Sequence, residues 1–177
     1  MIDVLLDDVS FHLRERDPFL QEPNPFRWAR KNLSDLIGGK RVVIFGLPGA
    51  FTPTCSNEQL PSYDHMYQEF MDLGIDEVYC TSVNDAFSMF QWAKNLGIEN
   101  VKMLPDGNGT FARSLGMLVE KSNLGFGLRT WRYAMVVDNM RVVEFLPEDD
   151  CMDNCPTDPY GISSPENLLD VLRSKVV

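Results

Sequence analysis

Histidine is nearly absent: the 177 residues include two, His12 and His65. A cysteine–histidine hydrolase needs an imidazole within hydrogen-bond reach of its sulfur. His65 falls ten residues past Cys55, roughly 15 Å along a continuous helix at about 1.5 Å per residue, and nothing in the sequence places His12. Cationic residues are also scarce. Sixteen Lys and Arg stand against 26 Asp and Glu, a formal charge of −10, which argues against a nucleic-acid partner and favours solubility. No apolar run approaches the roughly 20 residues that span a bilayer, so no membrane partner is expected. The opening Met1–Asp8 lacks the basic flank and long apolar stretch of a secretory signal. Four cysteines are too few for a disulfide framework, and a reducing cytoplasm is the expected setting. Cys151 and Cys155 have no second ligand pair to complete a metal site, and no metal or organic cofactor is implied.

What is present is a good core former, 44% hydrophobic and 11% aromatic, of a length that suits one domain over residues 1–177. Its most informative stretch is Val42 to Ser56. Val42-Val43-Ile44-Phe45 is an apolar, β-branched run that reads as a buried strand. Pro48-Gly49 is a turn signal. Thr52-Pro53 fits a helix N-cap followed by proline at the first helical position. Cys55 then falls in the first helical turn, where unpaired N–H groups and the positive end of the dipole favour a thiolate over a thiol. Strand, turn, cap and cysteine in that order describe an activated nucleophile.

Pro48-Gly49-Ala50-Phe51-Thr52-Pro53-Thr54-Cys55 resembles the Pro-x-x-x-Thr-x-x-Cys signature of the peroxiredoxins, with flanks similar to the type II, atypical two-cysteine or peroxiredoxin-five-like subgroup. The resemblance runs from about Lys40 to Leu172. It also takes in Tyr79-Cys80-Thr81-Ser82-Val83-Asn84-Asp85, Leu104-Pro105-Asp106-Gly107 and Arg129-Thr130-Trp131-Arg132-Tyr133. It implies a thioredoxin-like α/β fold and a thiol-dependent peroxidase acting on hydrogen peroxide and alkyl hydroperoxides. It further implies recycling by glutathione with glutaredoxin, or by thioredoxin, and a homodimer.

The rest of the chain supports an α/β arrangement. Val9–Leu13 alternates like a short strand, Asp17–Arg27 reads as loop, and Asn32–Lys40 as a helical turn ending at glycine. The helix carrying Cys55 is expected to reach Leu73, with Leu60, Tyr63, Tyr67 and Phe70 on one face. A kink is expected at Pro61, and Gly74 closes it. A strand follows over Glu77–Val83, a helix from Asp85 to about Leu96, a strand over Val101–Leu104 and a short helix over Thr110–Leu115. Arg132–Val137 and Arg141–Phe145 form a hairpin, and Ser164-Pro165 opens a last helix. The order β-α-β-α-β…β-β-α predicts a mixed central sheet flanked by helices.

Thiol reduction of a peroxide needs a thiolate, an O–O bond in line with it, and donors for the departing oxygen. Cys55 supplies the nucleophile, and Thr52 can place a hydroxyl nearby while also capping the helix. Pro48 is expected to shape the pocket and shield the sulfur. The sequence alone does not locate a cation. The resemblance assigns the catalytic arginine to Arg129, with Arg132 the alternative partner. The sulfenic acid formed at Cys55 must then be reduced. Cys80, 25 residues on, resembles the resolving cysteine of plant members, but as a strand residue it would need local unfolding. Cys151 resembles the late resolving cysteine of animal members. Cys151 and Cys155 are expected to be exposed in an acidic loop, with the acidic neighbours keeping the Cys151 thiol protonated. If neither resolves, an external thiol must. Two competing readings are a thioredoxin-like disulfide reductase, which lacks the second cysteine because Thr52 stands in its place, and a redox sensor that oxidises once without turning over.

Overall fold

A computed structural model describes residues 2–21, 23 and 25–175. Its centre is a six-stranded sheet in the order β1-β10-β9-β4-β5-β6. The strands are β1 (Val4–Leu5), β4 (Arg41–Gly46), β5 (Glu77–Ser82), β6 (Lys102–Pro105), β9 (Tyr133–Asp138) and β10 (Arg141–Pro147). The β4, β5 and β6 strands run parallel, while β9 is antiparallel to β4 and β10 to β9. The sheet is therefore mixed, as expected.

Alternation along the strands divides the core between the two faces. Val43, Phe45, Cys80, Ala134 and Val136 face Tyr63, Phe70, Met89, Trp92 and Leu168. Val42, Ile44, Tyr79, Tyr133 and Met135 face Phe11, Leu33 and Phe111. The first face is covered by α2 (Leu60–His65), α3 (Tyr67–Asp72), α4 (Ala86–Asn95) and α6 (Pro165–Ser174). On the second lie α1 (Leu33–Ile37), α5 (Thr110–Ser114) and a hairpin of β2 (Ser10–Arg16) with β3 (Phe26–Asn32). The cap read at Ser164 is present, whereas the Thr52 hydroxyl donates to the Gly49 carbonyl and caps no helix N–H. Asp85 accepts from the N–H groups of Phe87 and Ser88 at the start of α4, and Ser164 from that of Asn167 at the start of α6.

Two expectations are corrected and one element is additional. The segment read as loop ends earlier, because Phe26 already pairs with Arg16. This strand, rich in cations and largely exposed, lacks the apolar alternation that betrays a half-buried one. A second small hairpin, β7 (Leu118–Glu120) with β8 (Leu128–Thr130), was not anticipated, since three residues per strand carry no readable period. The helix after Cys55 is broken at Met66 (φ −91°, ψ 9°), not at Pro61. Pro61 acts one turn earlier. Cys55–Gln59 form a π-helical turn in which the Leu60 N–H reaches back to the Cys55 carbonyl. A proline cannot donate in the regular ladder, and the wider turn absorbs the mismatch just before it.

Candidate active site

The site is built where β4 ends. Gly46 must be glycine, since a Cβ there would lie 2.4 Å from Cε1 of Tyr133. The Leu47 N–H extends the pairing to the Thr81 carbonyl. Pro48 and Gly49 are buried, and the Ala50 N–H is fixed by the Asn84 side chain at 2.9 Å. Phe51, at φ 64°, turns the chain through the left-handed region. The helical turn begins at Pro53, so Thr52 occupies the N-cap position. Its hydroxyl donates to the Gly49 carbonyl at 2.7 Å, which holds the turn closed, and its own carbonyl accepts from the Ser56 N–H.

Cys55 is 1% exposed, and its sulfur faces a cation. That cation is Arg132: Nη1 stands 3.6 Å from Sγ. The arginine side chain is itself 2% exposed, and its guanidinium is held on several sides. Nη1 also donates to Gln59 Oε1, Nη2 pairs with Asp158 Oδ1 at 2.6 Å, and Nε donates to the Pro159 carbonyl at 3.1 Å. Burial opposes its charge, but the negative charges of Cys55 and Asp158 and the bonds to both outweigh burial and raise its pKa.

Arg129 is placed differently from the sequence expectation. It is partly exposed, its Nε donates to the Phe126 carbonyl at 3.0 Å, and its Nη1 lies 3.5 Å from the carbonyls of Pro48 and Val83. Burial lowers its pKa, and the charge of Cys55 partly offsets that. It packs against Gly49, where a Cβ would approach Nη1 to 3.0 Å. Arg129 therefore braces the turn, while Arg132 touches the sulfur, reversing the expected order of the two. Strand parity explains the reversal. Ala134 and Val136 lie in the same cluster as Cys55, and Arg132 precedes them in the same alternation. Arg129 sits in β8, in a separate two-stranded sheet.

Gln59 and Asp158 were missed. Gln59 stands four residues past Cys55, a spacing that shares a helix face, and is fully buried. No sequence signal marks Asp158. His12 lies on β2 and His65 ends α2, while the donor to the sulfur is Arg132.

The other cysteines stand apart from this arrangement. Cys80 is fully buried in β5, opposite Phe45 and Met103, and burial, aided by the charge of Cys55, pushes its thiol well up. Cys151 is exposed, and its pKa is raised by partial burial and by Asp153 and Cys155. Cys155 corrects the expectation: it is 3% exposed, packed with Val119 and Trp131. All four are free thiols. Among the described residues no cluster of three His, Cys, Asp or Glu is arranged to hold a metal ion, and no helix is long and apolar enough to cross a membrane.

A buried cysteine facing an arginine, on the helix that follows the central strand of a mixed sheet, defines a thiol-redox protein of thioredoxin-like architecture. The Redoxin family model matches residues 29–151. A peroxiredoxin of Rhizobium etli is 54% identical over 94% of this chain and 93% of its own. The peroxiredoxin sll1621 of Synechocystis is 52% identical over 93% of this chain and 87% of its own. Among solved structures, the Plasmodium falciparum antioxidant protein, described as a 1-Cys peroxiredoxin, superposes with a TM-score of 0.91 at 33% identity, covering 97% of this chain and 99% of that one. Reduced Prx3 of Vibrio vulnificus in complex with hydrogen peroxide gives 0.82 at 31%, covering 98% of this chain and 96% of that one. The chain belongs to the peroxiredoxin family and is a thiol peroxidase.

Proposed function

We propose that Cys55 is the peroxidatic nucleophile, that Arg132 is its charge partner, and that an external thiol recycles the enzyme. The observation that carries this reading is the 3.6 Å approach of Arg132 Nη1 to Sγ. A fixed guanidinium in a buried site offers N–H groups both to the sulfur and to a peroxide oxygen as charge develops on it. Thr52 and Pro48 shape the approach, and Arg129 holds the turn that carries them. The thiolate attacks the nearer oxygen of ROOH. The attacked oxygen is the one that carries the hydrogen: the O–O bond breaks, an S–OH bond forms, and the proton the thiol gave to solvent on ionising is returned to the departing alkoxide, giving Cys55 sulfenic acid and ROH. Hydrogen peroxide and alkyl hydroperoxides both fit this chemistry.

External recycling is supported by the other thiols. Cys80 is a strand residue with no exposure, and Cys151 carries a raised pKa that keeps it protonated. The sulfenic acid would condense with a small thiol such as glutathione, releasing water. A second thiol, from glutaredoxin or thioredoxin, would then release Cys55. Such a cycle belongs in a reducing compartment, which agrees with a cytoplasmic location.

The test is to treat reduced protein with one equivalent of hydrogen peroxide, block free thiols, and map each cysteine by mass spectrometry. Fast modification of Cys55, absent in Cys55→Ser and slowed in Arg132→Met, is the expected result. A lone sulfenic acid supports external recycling, whereas a Cys55–Cys80 or Cys55–Cys151 disulfide replaces it with internal resolution. Reaction of Cys55 no faster than a free thiol would overturn the assignment of Cys55.

A further inference from the structure

The side chain on the sulfur is held by a segment distant in sequence. Arg132 meets three consecutive residues: Nη2 pairs with Asp158 at 2.6 Å, Nε donates to the Pro159 carbonyl at 3.1 Å, and the guanidinium carbon lies 5.5 Å from the Tyr160 ring centroid. The next three residues are clamped in turn. The buried Glu148 carboxylate accepts from the N–H groups of Gly161, Ile162 and Ser163 and from the Ser163 hydroxyl. Tyr63, on the helix that follows Cys55, donates to the Ser163 carbonyl at 2.6 Å. Residues 158–163 thus form a strap, tied at one end to the core and at the other to the guanidinium.

A guanidinium has five N–H groups in one plane. Nε–H is taken by Pro159, one Nη2 hydrogen by Asp158, and the two Nη1 hydrogens by Gln59 and the Cys55 sulfur. Fixing Nε and Nη2 fixes the plane, and giving one Nη1 hydrogen to Gln59 directs the other at Sγ. One Nη2 hydrogen is left for an incoming oxygen. An arginine side chain has several rotatable bonds, so without these ties the fork would sample other positions.

The geometry points to Asp158 as the positioning residue of the peroxidase reaction, with Gln59 completing the frame: together they hold the Arg132 fork so that it faces both the sulfur and the bound peroxide. This rests on the reading of Cys55 and Arg132 as the reacting pair. Asp158 touches neither sulfur nor peroxide; it acts through Arg132. Its side chain is 44% exposed, so removing its charge leaves a solvated amide rather than a buried defect, and the fold should survive.

Two reactions of Cys55 separate positioning from packing. Peroxide attack needs donors on the departing oxygen, whereas alkylation by iodoacetamide needs only an accessible thiolate. In Asp158→Asn, with both rates taken on the high-pH plateau where Cys55 is fully ionised in parent and variant, the rate with hydrogen peroxide should fall about tenfold, as expected for a misplaced donor, while the iodoacetamide rate is unchanged or rises. Asp158→Glu should recover most of the peroxide rate, and Gln59→Leu should behave like Asp158→Asn. An Asp158→Asn protein as fast with peroxide as the parent would overturn the proposal. So would a parallel fall of both rates, which marks general loss of packing. If Arg132→Met is itself as fast as the parent, the underlying reading of Arg132 fails instead, and the two failures are told apart.

Discussion

Tyr63 joins the helix behind Cys55 to the segment that holds Arg132, its hydroxyl donating 2.6 Å to the Ser163 carbonyl. The same ring stacks on Phe45 at 3.9 Å between centroids, nearly parallel. Tyr63→Phe keeps the stack and removes only the hydroxyl, leaving a buried carbonyl without its donor. The expected cost is about 1–3 kcal/mol, read from the urea midpoint. Because Ser163 belongs to the strap, the peroxide rate should fall as well. A variant as stable and as fast as the parent would show that the two segments are not coupled through this bond.

The two arginines should separate by magnitude. Arg132→Met removes the cation at the sulfur, and its former partner Asp158 is free to hydrate. The rate of Cys55 with hydrogen peroxide should drop by about 10²–10³, the scale of losing a transition-state donor. Arg129→Met loosens the turn at Pro48 and Gly49 without removing a contact to the sulfur, and about tenfold is expected. Stopped-flow measurement on both variants decides the matter; a larger loss at Arg129 would restore the assignment implied by sequence resemblance.

That reversal shows where sequence reading stopped. The place of Cys55 at the start of a helix after a buried strand was legible because the local signals agreed: an apolar strand, the turn at Pro48-Gly49, and Thr52-Pro53 just before the helix. The mixed sheet was legible from the order of its elements, and the start of α6 from Ser164-Pro165. The choice of arginine depended on which strand each belongs to and which face it takes. Parity along Arg132, Ala134 and Val136 held that information, but only once β9 was known to lie beside β4. Asp158 could not be found at all. It reaches Arg132 across 26 residues of sequence from a loop without periodicity, and only tertiary packing brings it there. Cys155 failed for the same reason. Its acidic surroundings read as exposed, yet the chain folds it under Trp131.

The remaining cysteines should be dispensable for the first turnover. Cys80→Ala deletes a sulfur from the core beside Phe45 and Met103, and a modest loss of about 1 kcal/mol is expected. Its sulfenic acid yield at Cys55 and its turnover with glutathione and glutaredoxin should match the parent. Cys151→Ser should match it in both respects. Labelling with a neutral maleimide at rising pH checks the chemistry of Cys151, whose raised pKa predicts that exposed thiol to react only sluggishly at neutral pH. Loss of turnover in either variant would instead identify an internal resolving thiol.

The Glu148 latch predicts how the strap responds to acid. Burial of Glu148 raises its carboxyl pKa, but the N–H groups of Ser163, Gly161 and Ile162 and the Ser163 hydroxyl outweigh burial, and the net shift is downward. A carboxyl depressed in the folded state binds its proton more readily when unfolded. Its contribution is therefore complete above the unfolded value of about 4.3 and is lost as pH falls through the lower folded value. Glu148→Gln removes the charge and turns an amide donor toward a set of N–H groups. It should cost about 1.5–3 kcal/mol at neutral pH, the scale of hydrogen bonds to a charged group. The substitution should also flatten the decline in stability below about pH 4.3. Urea midpoints at a series of pH values, for parent and variant, read both effects. Because Glu148 anchors the residues next to Asp158, the variant should lose peroxide rate along with stability. An acid limb of unchanged slope in the variant would place the titrating group elsewhere and leave the strap without its latch.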